Sequence, residues 1–157
     1  MKQILLILML PFLFSCRNET TVSTLPDPVP DQEMPTSEKG LSLVLTEDTF
    51  TGSPTIIKTI VRNDSLHDYN FGEFYHIEVS KENLWHIITY SDAVFFKNPR
   101  FKDIGSTLQA GDKAHQTFSV EALGVTLFPG EYRLVKTFLS QGESFHEISV
   151  AVPFWVK

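Results

Sequence analysis

The chain has 157 residues, 13 basic against 19 acidic, a formal net charge of −6 and a single cysteine. An acidic chain has no electrostatic reason to seek nucleic acid or anionic head groups, and a lone thiol excludes an internal disulfide framework. No Gly-rich phosphate loop or dinucleotide fingerprint occurs, and Gly52-Ser53-Pro54 and Gly142-Glu143-Ser144 lack the strand-to-helix form of a hydrolase's Gly-x-Ser-x-Gly.

The first element is a positive start, Met1-Lys2, followed by an apolar run from Ile4 to Phe14 with one proline, Pro11. Those 11 residues would span about 16 Å as a helix, roughly half of a hydrocarbon core. The run is too short to cross and stay, and its length and charge fit a secretory signal peptide. Leu13-Phe14-Ser15-Cys16 resembles the lipobox of bacterial lipoproteins, with Phe14 bulkier than the usual residue at that place. The resemblance implies cleavage between Ser15 and Cys16 and acylation of the Cys16 thiol, so that acyl chains tether the mature chain to a membrane. The cysteine count agrees, because Cys16 is the only one. Removing residues 1–15 leaves 12 basic against 19 acidic residues.

Residues 16–39 form the next segment, with Pro26, Pro28, Pro30 and Pro35 among Thr, Ser, Asp and Glu. So little in it is apolar that a disordered or semi-extended linker is expected, reaching about 70 Å if fully extended. Residues 40–157 are then one domain's worth of chain.

That domain reads as strands. The candidates are 41–46, 55–61, 74–80, 84–90, 93–96, 115–120, 132–139 and 146–156, separated by turn signals such as Asn63-Asp64-Ser65, Lys81-Glu82-Asn83, Gly111-Asp112 and Pro129-Gly130. Apolar residues recur at period two, and residues 121–126 could hold one helical turn at most. The expected fold class is all-β: an immunoglobulin-like sandwich of about seven or eight antiparallel strands. Pairing around Lys81-Glu82-Asn83 places Ile77 opposite Ile87 and Val79 opposite Trp85, with His76, Glu78 and His86 on the other face. In the last hairpin Tyr132, Leu134 and Phe138 meet Ile148, Val150, Val152 and Phe154, and Lys136 on the same face is expected to snorkel toward an edge. Pro129-Gly130 followed by Tyr132 and Leu134 resembles the tyrosine corner of immunoglobulin-like folds.

The series Asn63-Asp64-Ser65, Tyr69-x-Phe71-Gly72, Ile77-Glu78, Trp85, Phe95, Leu108-x-x-Gly111 and Pro129-Gly130-Glu131-Tyr132-Arg133-Leu134-Val135-Lys136 resembles the bacterial Ig-like domains of cell-envelope proteins. The resemblance covers roughly residues 41–139. It implies a fold and brings no catalytic residues. More loosely, the same order is similar to the intracellular proteinase-inhibitor family of Gram-positive bacteria, where a lipobox would be out of place.

Few residues suggest chemistry. His76, Glu78 and His86 could meet on one strand face as zinc ligands, although a solvated face with a Glu78–His86 pair explains them as well. Neither catalysis nor a cofactor or metal is expected. For recognition, Tyr69 and Phe71 stand at a strand entry, and Phe96, Arg100 and Phe101 surround Pro99; aromatics and Arg are enriched in binding hot spots. The alternative for Phe71 and Phe101 is that they plug the sandwich ends. Asp64-Ser65-Leu66 resembles the O-glycosylation signal of Bacteroidota exported proteins, which implies a glycan on Ser65; an Asx-type turn accounts for the same residues.

The expectation is therefore a lipid-anchored protein of the bacterial envelope, at the outer membrane, with either face open. Its domain would serve as a non-enzymatic binding or structural module for an envelope protein or glycan. The alternative is a protease inhibitor acting through a rigid loop, 98–102 or 64–71.

Overall fold

The computed structural model describes residues 21–90, 105–141 and 146–157. The strands are β1 (Ser37–Glu38), β2 (Leu41–Leu45), β3 (Thr49–Phe50), β4 (Ile56–Asn63), β5 (Tyr69–Phe71), β6 (His76–Lys81), β7 (Leu84–Ile87), β8 (Ser106–Leu108), β9 (Lys113–Ser119), β10 (Gly130–Ser140) and β11 (Glu147–Val156). One sheet runs β1-β2-β4-β9. The other runs β3-β11-β10-β5-β8, with β6 also pairing β10 and β7 pairing β6. All pairings are antiparallel except β3 with β11. The period-two pattern is what separates the faces: in β4, Ile57, Thr59, Val61 and Asn63 are buried while Ile56, Lys58 and Arg62 are exposed. Leu41, Leu43, Ile57, Val61 and Phe118 from one sheet pack on Ile77, Leu134, Phe138, Val150 and Phe154 from the other. The two-sheet, mostly antiparallel arrangement is the expected Ig-like sandwich. The single helical element among the described residues is a 3-10 turn at Glu121–Leu123, inside the stretch where one turn is expected. The candidate strand at 93–96 lies outside the described residues.

The last hairpin has the expected register, with Tyr132 opposite Phe154, Leu134 opposite Val152, Lys136 opposite Val150 and Phe138 opposite Ile148. Lys136 does not snorkel. It is 1% exposed, and its ammonium donates to the carbonyls of Gly72 and of Phe74, the latter at 2.6 Å. Those carbonyls need a donor because β5 and β6 are two pieces of one strand along β10. Leu139 pairs Asn70 in the first piece and Val135 pairs His76 in the second, so the register jumps by two residues across 72–75. Lys136 faces that break and supplies the donor the ladder lacks.

The β6–β7 register differs from expectation by one residue: Val79 pairs His86, Ser80 pairs Trp85 and Lys81 pairs Leu84. The turn is only Glu82-Asn83, both left-handed at φ 52° and 65°, as a two-residue hairpin turn with both central residues at positive φ requires. A one-residue slip exchanges faces. Trp85 therefore shares the outward face with Glu78, and His86 lies on the face of Val79.

The polar segment expected as a linker is laid against the sandwich over its described part. Thr24 bridges Ile88, Leu25 N–H donates to Ile87 O, and Val29 N–H donates to Trp85 O. Gln32 then closes the β7 edge with its side chain, accepting from Trp85 N–H at 2.8 Å. The chain crosses the outward face of β10, where the Arg133 guanidinium donates to Asp31 O and Gln32 O. It reaches β11, where Ala151 N–H donates to Pro35 O, and enters β1. Val22 and Val29 are its buried apolar anchors. The folded unit thus begins well before residue 40. The strap is held mainly by backbone groups that satisfy sheet edges, and these have no hydrophobic signature.

The tyrosine corner is present. Tyr132 Oη donates to Phe128 O at 2.7 Å, the ring stacks on Phe154 at 5.5 Å between centroids, and burial raises the hydroxyl's pKa above its ordinary value. Tyr132→Phe keeps the ring and removes one buried bond, so a loss of about 1 kcal/mol is expected. Urea unfolding would read it as a lower midpoint at unchanged slope.

Candidate interaction surfaces

Tyr69 is buried and its hydroxyl donates to Lys39 O at 3.2 Å. Phe71 is half-buried against Phe138, with ring centroids 5.9 Å apart. Both plug the sandwich end. Phe71 also lines a depression of about 320 Å³ with Asn70, Gly72, Phe74, Thr137 and Leu139. Cys16, Phe96, Arg100 and Phe101 lie outside the described residues.

Ser65 stands in an Asx turn built by Asn63. Its hydroxyl donates to Asn63 Oδ1 at 2.7 Å, and its N–H donates to the same oxygen. The hydroxyl is also within 3.1 Å of His67 O and accepts from His67 N–H. Its Cβ lies close to Gly40, where an added Cβ would come within 2.7 Å of it. The oxygen expected to carry a glycan is thus engaged in the loop's own bonds.

The His76, Glu78 and His86 group is split by the hairpin register. His76 Nε2 is 2.9 Å from Glu78 Oε1, while His86 faces the other way with Nδ1 buried and unpartnered. The second oxygen of Glu78 is taken by Arg133 Nε at 2.6 Å. Arg133 in turn sits 4.7 Å from the centroid of the Trp85 ring. Glu78 and Arg133 are buried beneath the strap, so this charged cluster serves packing and does not face solvent.

The outward face of β2, β4 and β9 is different in kind. By register its rows are Ser42–Arg62–Lys113, Val44–Ile60–His115 and Lys58–Thr117. None of the three strands contains an Asp or Glu, and Lys58, Arg62 and Lys113, all exposed, join no ion pair among the described residues. Val44 is exposed between them and Ile56 beyond Lys58. Arg62 and Lys113 stand directly opposite each other, a like-charge pair that costs stability. Sequence reasoning missed this face, although Lys58 and Arg62 at even spacing on a strand flanked by an acid-free partner were its visible signal.

Beyond β9 no described residue adds a strand. The other edges are short or occupied: β8 has three residues, β1 has two, β7 is closed by the strap, and β11 is met by β3 and Pro35. Among the described residues no group of three or more His, Cys, Asp or Glu side chains is placed to hold a metal ion.

No curated protein matches the chain. The family model described as "Bacterial Ig-like domain" matches residues 37–155, from the start of β1 to the penultimate residue of β11, and leaves the strap's 21–36 outside it. The match, the two sheets and the tyrosine corner agree, and the chain belongs to the bacterial Ig-like domain family.

Proposed function

We propose that the protein is a lipoprotein of the bacterial cell envelope, acylated at Cys16 after loss of residues 1–15. Its Ig-like domain is a non-catalytic binding or structural module for an envelope protein or glycan. The observation that carries the module reading is where the polar chemistry sits. Glu78, Arg133, Lys136 and Asn63 are buried and bonded within the fold, whereas the unpaired cations and the open edge face outward. The anchor reading rests on the lone cysteine at the end of the apolar run.

The strap changes what such an anchor would do. Val22, six residues after Cys16, is buried against the sandwich, so the chain from Cys16 to that point can reach at most about 20 Å. The domain is held close to the bilayer rather than on a long stalk. Cys16→Ala should move the protein from the membrane fraction to the soluble fraction; a variant that still sediments with membranes overturns the anchor. In-cell crosslinking of the tagged full-length protein with mass spectrometry tests the module. One abundant partner supports it, and only background neighbours would leave a spacer.

A further inference from the structure

We propose that the β9 edge receives an extended acidic polypeptide segment of a partner protein, added as a strand and held by the cations of the β4–β9 face. This deepens, and rests on, the binding-module reading above. β9 is seven residues long and contains no proline. Among the described residues it pairs β4 alone, on one side, so alternate N–H and C=O groups along it point away from the sheet, as in any terminal strand. The domain covers its other long edges with its own chain, and this one it leaves open among the described residues.

Strand geometry then dictates the partner's sequence chemistry. Alternate side chains of an added strand would neighbour the outward residues Lys113, His115 and Thr117, with Arg62 and Lys58 one strand further in. Carboxylates belong there, since nothing on β2, β4 or β9 neutralises these cations. The intervening side chains would face the sandwich side, next to Ala114, Gln116 and Phe118, where apolar residues belong. One hydroxyl fits among them, because Gln116 Oε1 is buried without a hydrogen-bond partner. A second copy of β9 is a poor occupant, because it contains no Asp or Glu and brings no carboxylate to these cations. In a chain of net charge −6 an acidic segment is repelled elsewhere and attracted at this face, which gives specificity of place.

The test uses the full-length protein in detergent and a fluorescent synthetic peptide alternating Glu with Val, with one Thr in a Val position. Fluorescence anisotropy should show saturable binding that weakens with salt. The Lys-for-Glu peptide should not bind. N-methylation of alternate peptide nitrogens on the pairing edge should lower affinity at least about tenfold, because main-chain bonds provide it. Lys58→Glu with Arg62→Glu should lower it about tenfold; both side chains are exposed, and unchanged circular dichroism would confirm the fold. Equal binding of the Glu and Lys peptides, or indifference to N-methylation, overturns the proposal. So does failure of the Glu peptide to bind, or a concentration-dependent dimer abolished by the same two substitutions. A crosslinked partner mapped to another face overturns this inference and leaves the module reading standing, whereas no partner at all overturns that reading.

Discussion

Glu78→Ala should destabilise the domain by about 3–5 kcal/mol, the cost of leaving a buried charge without its counterion. Glu78 and Arg133 are 1% and 3% exposed, and the Oε2–Nε distance is 2.6 Å. The guanidinium is held from turning to water when the carboxylate is removed, because Trp85 stacks on one face and Nη1 and Nη2 each donate to a strap carbonyl, Gln32 O and Asp31 O. Replacing both partners at once, Glu78→Leu with Arg133→Met, should cost much less, since no desolvated charge is then stranded. The double variant nevertheless loses the two bonds that fasten the strap to β10. Limited proteolysis should therefore cut within 21–36 faster in the double variant, even if urea unfolding finds its stability largely restored. A Glu78→Ala loss under about 1 kcal/mol would mean that the pair behaves as a solvated surface bridge.

That cluster also shows where reading the chain stops. Glu78 and Arg133 are visible as members of a family-like series, yet they meet through the β6–β10 register, which sets them directly opposite. The Trp85 ring joins them through the β6–β7 register, which turns on whether two or three residues make the turn. Glu82 at positive φ gives no compositional signal, because Gly, Asn or Asp would be the expected occupants. The β10–β11 hairpin was legible because its apolar face is long and alternates without interruption, so that any slip would expose it. Lys136 interrupts that face and lies on it, opposite Val150, as the alternation predicts. Its destination was hidden, because the two-residue jump between β5 and β6 is a tertiary event that no local pattern encodes. The strap was hidden for a related reason: two valines among prolines and acids cannot announce a segment whose anchoring is done by backbone groups. The basic face was hidden in another way. Three cations are unremarkable along the chain and become a feature only when β4 and β9 are set side by side.

Asn63→Ala is expected to cost about 3 kcal/mol or more, far beyond the usual loss of one polar side chain, because several buried groups lose their partner together. The side chain is fully buried at the end of β4. Its amide nitrogen lies 2.7 Å from His67 O, 2.9 Å from Gln109 O and 3.2 Å from Leu108 O. Its oxygen accepts from both the N–H and the hydroxyl of Ser65. One side chain thereby ties the β4–β5 loop to the β8–β9 loop and stops both where β9 begins. The backbone bonds from Asn63 N–H to Asp112 O and from Gly111 N–H to Asn63 O survive the substitution, so the β4–β9 pairing should persist while the loops loosen. Hydrogen exchange should then speed up at the amides of Ser65 and His67 and stay slow along β4. Asn63→Asp sharpens the case: it keeps an acceptor for Ser65 but turns carboxylate oxygen toward three carbonyls, so it should be at least as damaging as Ala despite its near-identical shape. If Asp were tolerated better than Ala, the packing of the side chain would matter more than its donors. The asparagine would then be a filler of the sandwich end and not its clasp.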